Sequence, residues 1–401
     1  MAKELIIKKL KALLKHLPQE WVELTTHRLD IYDESQAKSQ FLAEFEKISL
    51  DEMSTKSLEQ LPTAFDYIRL GHQLSSILEW AIAGFRDVPA EQVVSFSSQT
   101  MPLLSVLREN QVRGHKTEIY YATEAKPLMD LDVLKKIYNY DVCITKVASL
   151  ADIPSDSSLT KIFVTDQLSL DNADTKKVHM TLHNHQNYGT VMVIEDNGGS
   201  DGARTWDAVV QHSRRRESIA ITPPNSIPMI EELLGESSTA PEQAQDSDWQ
   251  GIYNSIEENT GSAVKPALAS SGLSIQYAIL MGLIHQQSEL YPDKPLKVLL
   301  PPNCYGGTND QSRRVAASLP QVEVLDLPVD GGHDMTSSLE RVLEEVAQID
   351  GVPLILVEIP TNPRVQVPDM AGLKDALMKV RKTPNGQDLS LIHISEPTRR
   401  S

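Results

Sequence analysis

Residues 296–308 read LKVLLPPNCYGGT, and this stretch decides the fold of the second half of the chain. The run LKVLL is almost wholly apolar, which is typical of a parallel strand that is covered on both faces. The prolines and glycines that follow predict a turn, because they fix or free the backbone where the chain must change direction. A helix is predicted over about Asp310–Ser318, so the stretch indicates a strand–turn–helix unit.

The same alternation continues on both sides of this unit. A helix is predicted to begin near Ser274, and strands are predicted at VEVLDL (322–327) and PLILVEIP (353–360). Helices are predicted over Ser337–Gln348 and Asp369–Lys382. The pattern predicts an α/β fold in which part of a doubly wound, mostly parallel sheet follows an N-terminal helical and α/β region. Ligands of such sheets bind at the carboxyl ends of the strands.

Three short segments lie where such a sheet binds ligands. ASSGLS (269–274) precedes a helix, so its free backbone N–H groups suit a phosphate, although ordinary helix capping explains it equally well. Tyr305 follows a strand and precedes two glycines. It is either an aromatic platform on which a ligand stacks or part of a plain turn. Asn362 in EIPTNP (358–363) is a candidate donor to an anionic oxygen of a bound ring, or a cap of its own turn.

In this order and spacing the segments SSGLS, NCYGGT and EIPTNP, followed by VPDM, resemble the cystathionine γ-synthase family. These are pyridoxal-phosphate enzymes of cysteine and methionine metabolism with the fold type I, aspartate-aminotransferase-like architecture. The resemblance covers residues 249–387. It implies that Ser271 and the backbone of Gly272 and Leu273 hold the cofactor phosphate. It also implies that Tyr305 stacks on the pyridine ring and that Asn362 hydrogen-bonds the phenolic oxygen.

The departures from the family pattern concern the chemical step. The family's aspartate for the pyridine nitrogen, its covalent lysine and its carboxylate-binding arginine have no counterpart here. Lys374, Lys379 and Lys382 lie on the predicted helix before the strand that should carry the aspartate, and Arg214–Arg216 is too loosely placed to replace the family's phosphate arm. We therefore assign no catalytic residue and expect this chain to be inactive, because carbanion chemistry needs both the electron-sink partner and the covalent anchor.

The resemblance implies that a complete parent enzyme makes or breaks C–S bonds of cystathionine, homocysteine or acyl-homoserine substrates. It also implies that the parent is a homo-oligomer. Asp369, which opens the VPDM helix, is explained sufficiently as the N-cap of that helix. Cys304 is interpreted as a small residue that packs in the turn, because the sequence provides no partnered histidine.

Leu389–Ser401 (LSLIHISEPTRRS) resembles the in-frame translation of a transposon adapter used for sequencing libraries. It is set aside as a segment that does not belong to the fold. The natural chain is then expected to stop near Asp388, within a sheet that has lost part of its strands and part of its stability. After the turn-like residues 383–386, Leu389–Ile394 is apolar enough to occupy a strand position by accident.

Residues 1–116 are expected to be mostly helical, beginning with an amphipathic helix whose apolar residues run from Leu5 to Leu17. Residues 117–235 are expected to form an α/β region of unassigned role. Strands are predicted at TEIYYA, VCITKVA, LTKIFVTD, TVMVIED and SIAITPP, and a helix at PLMDLDVLKKIYNY. Residues 236–248 are predicted to be a linker, 249–388 a partial pyridoxal-phosphate domain, and 389–401 the adapter-derived tail.

A second functional interpretation concerns the N-terminal α/β region. Strand alternation in VHMTLHNH (178–185) places His179, Thr181, His183 and His185 on one face. Three imidazoles could bind a metal such as zinc, which would make the chain a non-catalytic or metal-binding module. A solvated strand face explains the same pattern.

The composition narrows the classes of partner. The net charge is −17, which argues against nucleic acid and anionic membranes as partners, because both favour basic surfaces. No apolar run approaches the roughly 20 residues that cross a bilayer. The two cysteines provide no disulfide framework, so a cytoplasmic protein that acts on a small amino-acid substrate is expected.

Overall fold

The computed structural model describes residues 3–24, 34–65, 67–122, 125, 128–136, 138–155, 159–168, 175–198, 205–236, 245–329, 334–361 and 365–389. The chain forms two compact units, Met1–Gln243 and Ala244–Ser401. Both combine helices with a sheet that is mostly or wholly parallel, which confirms the predicted α/β class. Within the described ranges, no helix combines the length and the hydropathy needed to cross a bilayer.

The first unit is built from helices packed around a six-stranded mixed sheet. Its helices are α1 (Lys3–Lys15), α2 (Gln19–Val22), α3 (Glu34–Lys47), α4 (Thr55–Glu59), α5 (Gln73–Arg86), α6 (Met101–Arg113), α7 (Leu131–Lys136), α8 (Trp206–Glu217) and α9 (Pro223–Leu233). Short 3-10 turns lie at Ala90–Gln92, Leu150–Asp152 and Thr175–Lys177. The strands are β1 (Val93–Phe96), β2 (Thr117–Ala122), β3 (Val142–Val147), β4 (Thr160–Thr165), β5 (Met180–His185) and β6 (Gly189–Ile194).

The strand order of this sheet is β1-β6-β5-β4-β2-β3, and β6 runs antiparallel to both of its neighbours. The other pairs are parallel, so β2, β3, β4 and β5 run in the same direction. Helix α1 docks on the unit through Ile6, Leu10 and Leu13, each fully buried, which confirms the amphipathic helix predicted at the N-terminus.

Two sequence predictions fail in this unit. SIAITPP is not a strand, because Thr222 is the N-cap of α9 and Pro223 is its first residue, a position where proline suits a helix. Strand β1, which the sequence analysis did not predict, has only four residues and lies inside the region expected to be helical.

A buried carboxylate organises the polar part of this core. Glu79 is fully buried and accepts hydrogen bonds from Lys38 Nζ (2.6 Å), Arg214 Nη1 (2.6 Å) and the Ser95 N–H (2.8 Å). Burial raises the pKa of the Glu79 carboxyl, but the two cations and these bonds outweigh it and lower the pKa to about 2. The carboxylate therefore stays ionised, and it ties α3, α5, β1 and α8 together.

His72, the N-cap of α5, lies in the same core. Its Nδ1 accepts the Ser75 N–H (3.2 Å) and its Nε2 lies 2.7 Å from the Ile221 carbonyl, which fixes Nε2 as the protonated nitrogen. Burial, with a smaller contribution from the Arg214 guanidinium, lowers the pKa of His72 to about 4, although the Ile221 carbonyl and Glu79 act to raise it. The imidazole is therefore neutral near pH 7.

The second unit holds a three-stranded parallel sheet. Its helices are α10 (Asp246–Thr260), α11 (Gly272–Leu290), α12 (Gly306–Ala317), α13 (Met335–Gln348) and α14 (Met370–Met378). Its strands are β7 (Leu296–Leu300), β8 (Val322–Asp326) and β9 (Val352–Ile355), in the order β8-β7-β9. The strands predicted at LKVLLP, VEVLDL and PLILVEIP are thus confirmed, the last in a shorter form.

Helix boundaries in this unit depart from the predictions for local reasons. The predicted linker 236–248 ends early, because Gln245 and Asp248 form a capping box that starts α10 at Asp246. The helix predicted over Asp369–Lys382 ends at Met378, where the buried Arg381 side chain donates to the carbonyls of Ala376 (2.8 Å) and Lys379 (3.0 Å). The turn expected at residues 383–386 is confirmed by the Gly386 N–H, which donates to the Thr383 carbonyl.

The central strand β7 separates two helical layers. The connection from β7 to β8 runs toward one edge of the sheet, and the connection from β8 to β9 runs toward the other edge. Because such connections are right-handed, their helices α12 and α13 lie on opposite faces of the sheet. Helices α13 and α14 share an apolar cluster with Leu299 of β7, and Leu389 packs into the same cluster. Residues 390–401 lie outside the described residues, so the strand predicted at Leu389–Ile394 is not tested. The change of winding direction falls between β7 and β9, where ligand sites of such sheets form.

The neutral state of His72 predicts a pH dependence of stability. The unfolded chain binds a proton at His72 below pH 6.5, whereas the folded chain does so only near pH 4, so stability falls as the pH falls through this window. This one group should account for roughly 3 kcal/mol of the loss in free energy of unfolding. H72N retains an N-cap acceptor but cannot titrate, so its stability should fall less steeply between pH 6.5 and 4.

Urea unfolding of the full chain at a series of pH values measures this slope. H115N, at an exposed histidine, is the matched control and should keep the wild-type slope. His183, whose pKa burial also lowers to about 4, contributes to the slope that remains in H72N. Equal slopes for H72N and wild type would contradict the assignment to His72.

Candidate functional site

The candidate site lies at the carboxyl ends of β7 and β9. The turn after β7 leads through Tyr305 into α12, and the segment after β9 leads to Glu358. The two strands pair in parallel with Leu299 opposite Ile355, and the Leu356 N–H continues the ladder to the Leu299 carbonyl (3.0 Å). Both segments therefore leave the sheet at the same edge, next to the start of α11.

Helix α11 begins at a serine cap. Ser271 is the N-cap, and its Oγ accepts the Ser274 N–H at 3.1 Å and lies 2.8 Å from Ser274 Oγ. Among the described residues, no acceptor takes the N–H groups of Gly272 and Leu273. Gly272 is exposed, and a Cβ built on it would have no atom within 4 Å. The first turn of this 19-residue helix thus presents N–H groups and the positive end of its dipole to open space.

Tyr305 is the N-cap of α12 and its ring lies over the first turn of that helix. A Cβ on Gly307 would come within 2.4 Å of Tyr305 Cε1 and 2.8 Å of Leu273 Cδ1, so only glycine fits at this position. Gly306, by contrast, has no atom within 4 Å of a built Cβ. The second glycine of the CYGGT turn therefore admits the ring, and the same contact brings Tyr305 next to the start of α11.

Glu358 connects the end of β9 to this turn. Its Oε2 accepts the backbone N–H of Tyr305 at 2.9 Å, and its Oε1 accepts the hydroxyl of Thr308 at 2.6 Å. Glu358 is half-buried, whereas Thr308 is 4% exposed. One carboxylate thus binds the N-cap residue and the third residue of α12 at once.

Two glutamines extend this network to α11. Gln276 Oε1 lies 3.1 Å from Thr308 Oγ1, and Gln276 Nε2 donates to Gln311 Oε1 at 3.2 Å. Gln311 is fully buried, and its Nε2 donates to the Leu273 carbonyl at 2.9 Å. Thr308 has one hydroxyl proton, which goes to Glu358 at the shorter distance, so Gln276 Oε1 only contacts this hydroxyl. Hydrogen bonds thus join Glu358 to α12, and Gln311 of α12 to the first turn of α11.

The structure brings Ser271, Gly272, Leu273 and Tyr305 to one edge of the sheet, and their binding of a cofactor stays a prediction. Asn362 lies outside the described residues, so its predicted hydrogen bond stays a prediction. Glu358 and Thr308 were noticed only as parts of motifs, and Gln276 and Gln311 were missed. A signal for these two existed, because each is a polar residue about one helical turn after a candidate turn.

Two neighbouring residues take structural roles. Cys304 is 7% exposed, and burial together with the Glu358 charge raises the pKa of its thiol to about 11, so the thiol is not a nucleophile at neutral pH. Asp369 caps α14, since its side chain accepts the Ala371 N–H at 3.1 Å. Both observations confirm the structural interpretations made from the sequence.

The histidine face of β5 does not form a metal site. The described residues contain no group of three or more His, Cys, Asp or Glu side chains that could hold a metal ion. His183 is 3% exposed, so a solvated strand face is also wrong for this pattern. His185 stacks on Tyr188 with ring centroids 3.9 Å apart, and His179 Nδ1 accepts the Lys161 N–H at 3.1 Å. His183 lies edge to face with His185, with ring centroids 6.3 Å apart.

Comparison with known proteins gives remote structural likenesses. No protein-family model matches the sequence, and neither does any curated protein. An O-acetylhomoserine (thiol)-lyase from Campylobacter jejuni, whose structure holds a pyridoxyl-lysine monophosphate, is 10% identical over 63% of this chain and 75% of its own, with a TM-score of 0.30.

Two further solved structures are similar at the same level. The metB protein of Corynebacterium glutamicum is 13% identical over 54% of this chain and 64% of its own, with a TM-score of 0.29. The aminotransferase TlmJ from Streptoalloteichus hindustanus is 10% identical over 49% of this chain and 67% of its own, with a TM-score of 0.26. These TM-scores are too low to decide what this chain binds or does.

Proposed function

We propose that the second unit carries the phosphate-binding and ring-binding part of a pyridoxal-phosphate site of the cystathionine γ-synthase type. The observation that carries the proposal is the meeting of the first turn of α11, the Tyr305 turn and Glu358 at one edge of the sheet. These motifs lie up to 88 positions apart, from Ser270 to Glu358, and hydrogen bonds from Glu358 to the Tyr305 turn and from Gln311 to the start of α11 join them at that edge.

The residues fit the cofactor on the phosphate side and the ring side. The N–H groups of Gly272 and Leu273, with Ser271 beside them, would hold the phosphate at the positive end of α11. The phosphate would have to approach the backbone closely at Gly272. The space there is open because glycine has no side chain to fill it. Tyr305 would stack on the pyridine ring, and Asn362 would donate to its phenolic oxygen.

Bound pyridoxal phosphate supplies an electron sink for the α-carbon of an amino acid. In this proposal the chain's own residues bind and orient that group, and the side chains of Tyr305 and Leu273 exclude water from one face of the ring. The covalent lysine of the family has no counterpart among the motifs of this chain. The parent enzyme would act on cystathionine, homocysteine or acyl-homoserine in the cytoplasm as a homo-oligomer.

The phosphate assignment is tested with G272A and its matched control G282A, which lies in the same helix. A Cβ at either position meets no protein atom within 4 Å, so both variants should fold with unimpaired stability. G272A should weaken binding of pyridoxine 5′-phosphate and of inorganic phosphate by about ten-fold or more, because the methyl group displaces the anion from the N–H groups. G282A should bind as wild type, and equal affinities for the two variants would contradict the assignment. Ligand fluorescence and calorimetry measure these affinities.

The ring assignment is tested with G307A and its matched control G306A. The added methyl at position 307 meets the Tyr305 ring and the end of the Leu273 side chain but not the backbone of α11, whereas the methyl at position 306 has no atom within 4 Å. G307A should displace the ring and weaken pyridoxine 5′-phosphate by about ten-fold, the scale of a lost stacking contact, while inorganic phosphate binds unchanged. Retention of full pyridoxine 5′-phosphate affinity in G307A would argue against stacking on Tyr305.

The full chain should show no turnover of cystathionine or O-acetyl-homoserine above that of free pyridoxal phosphate. The reason is the missing group that both anchors the cofactor and takes the α-proton. A thiol-release assay measures this, and turnover that depends on the purified chain would refute the proposed inactivity.

A further inference from the structure

Helix α12 begins at a residue that cannot cap it. Tyr305 occupies the N-cap position with an extended backbone (φ −50°, ψ 131°), and its side chain makes no capping hydrogen bond. Serine, threonine, aspartate or asparagine normally fills this position, because a short side-chain oxygen can accept an N–H of the first turn. Tyr305 therefore gives the first turn of α12 no side-chain acceptor.

Glu358 makes the other contact of a capping box, from the segment that follows β9. In a capping box, the side chain of the third helical residue accepts the N–H of the N-cap residue. Here the Glu358 carboxylate accepts the Tyr305 N–H, and it binds the hydroxyl of Thr308, which is the third helical residue. Its negative charge also lies at the positive end of the helix, where it is favourable.

We propose that Glu358 is a positioning residue that fixes Tyr305 for ring stacking by accepting its backbone N–H from the segment that follows β9. The inference rests on the proposed function and gives a role to the one motif residue whose chemistry was unassigned. The geometry carries it through two bonds, at 2.9 Å to the Tyr305 N–H and 2.6 Å to Thr308 Oγ1. These bonds fix the backbone of Tyr305. Its ring then packs against Gly307, and this contact fixes the position of the ring.

The same carboxylate separates the roles of two helix starts. Both α11 and α12 begin at this edge of the sheet, and both carry a positive dipole end. Glu358 places a carboxylate of the protein's own at the start of α12, whereas Ser271 caps α11 with a neutral hydroxyl. An external phosphate is therefore expected to bind at the start of α11, whereas the aromatic ring of Tyr305 lies at the start of α12.

The test compares two ligands on the full chain, pyridoxine 5′-phosphate and inorganic phosphate. Pyridoxine 5′-phosphate cannot condense with lysines, so its binding reports the non-covalent site alone. E358A should weaken pyridoxine 5′-phosphate by at least about ten-fold, the scale of hydrogen bonds to a charged group, while phosphate affinity changes less than about two-fold. Circular dichroism induced in the bound ring should fall in parallel, because it reports ring orientation.

Matched variants separate positioning from charge and from folding. E345A removes an exposed acidic side chain on α13 in the same unit and should leave both affinities unchanged. E358Q keeps one carbonyl acceptor and should recover part of the affinity lost in E358A. T308V removes one of the two bonds to Glu358 and should reduce pyridoxine 5′-phosphate affinity less than E358A, whereas T308S should restore it.

Each outcome decides the inference. A selective loss of pyridoxine 5′-phosphate in E358A, with partial recovery in E358Q, supports it. An equal loss of both ligands, or no loss of either, overturns the positioning role while the proposed function stands. A wild-type chain that binds neither ligand overturns the proposed function itself and the inference with it.

Discussion

The parallel pairing of β7 with β9 is the constraint on which the candidate site depends. The register places Leu299 opposite Ile355, so the two strands end together and release their following segments at one edge. Glu358 comes three residues after the last residue of β9 and meets the turn that follows β7. A slip of one residue would send the Glu358 side chain to the other face of the sheet, because side chains alternate along an extended chain. The site is therefore specified by backbone pairing before any side chain contributes.

The fold of the second unit could be predicted from sequence because its signals are local. Apolar runs such as LKVLL and the glycine-rich turns after them fix strand, turn and helix within about a dozen residues. The role of Glu358 could not be predicted, since its partners Tyr305 and Thr308 lie 53 and 50 positions away. Such a contact depends on strand register, which no local pattern encodes. SIAITPP failed for the opposite reason, because a proline at the first helical position outweighed an apolar pattern typical of strands.

The two units treat buried polar groups differently. In the first unit Glu79 is fully enclosed and its charge is balanced by Lys38 and Arg214, so ionisation is favourable despite burial. Such a cluster holds four elements in one arrangement, but its carboxylate is too deeply buried for a ligand to contact it. In the second unit the Glu358 carboxylate is half-buried and meets neutral donors, a backbone N–H and a hydroxyl. Neutral donors leave its negative charge uncancelled, which suits a residue that must keep an external anion away from α12.

The choice of tyrosine at position 305 follows from the same arrangement. A serine or aspartate there would cap α12 by itself, but it would offer no aromatic face to a ligand. A tyrosine offers that face but gives the first turn no side-chain acceptor. Glu358 fixes the backbone of this tyrosine by accepting its N–H, and Gly307 lacks the Cβ that would push the ring away. Glu358, Tyr305 and Gly307 thus act together on one feature of the site, the position of the aromatic ring at the start of α12.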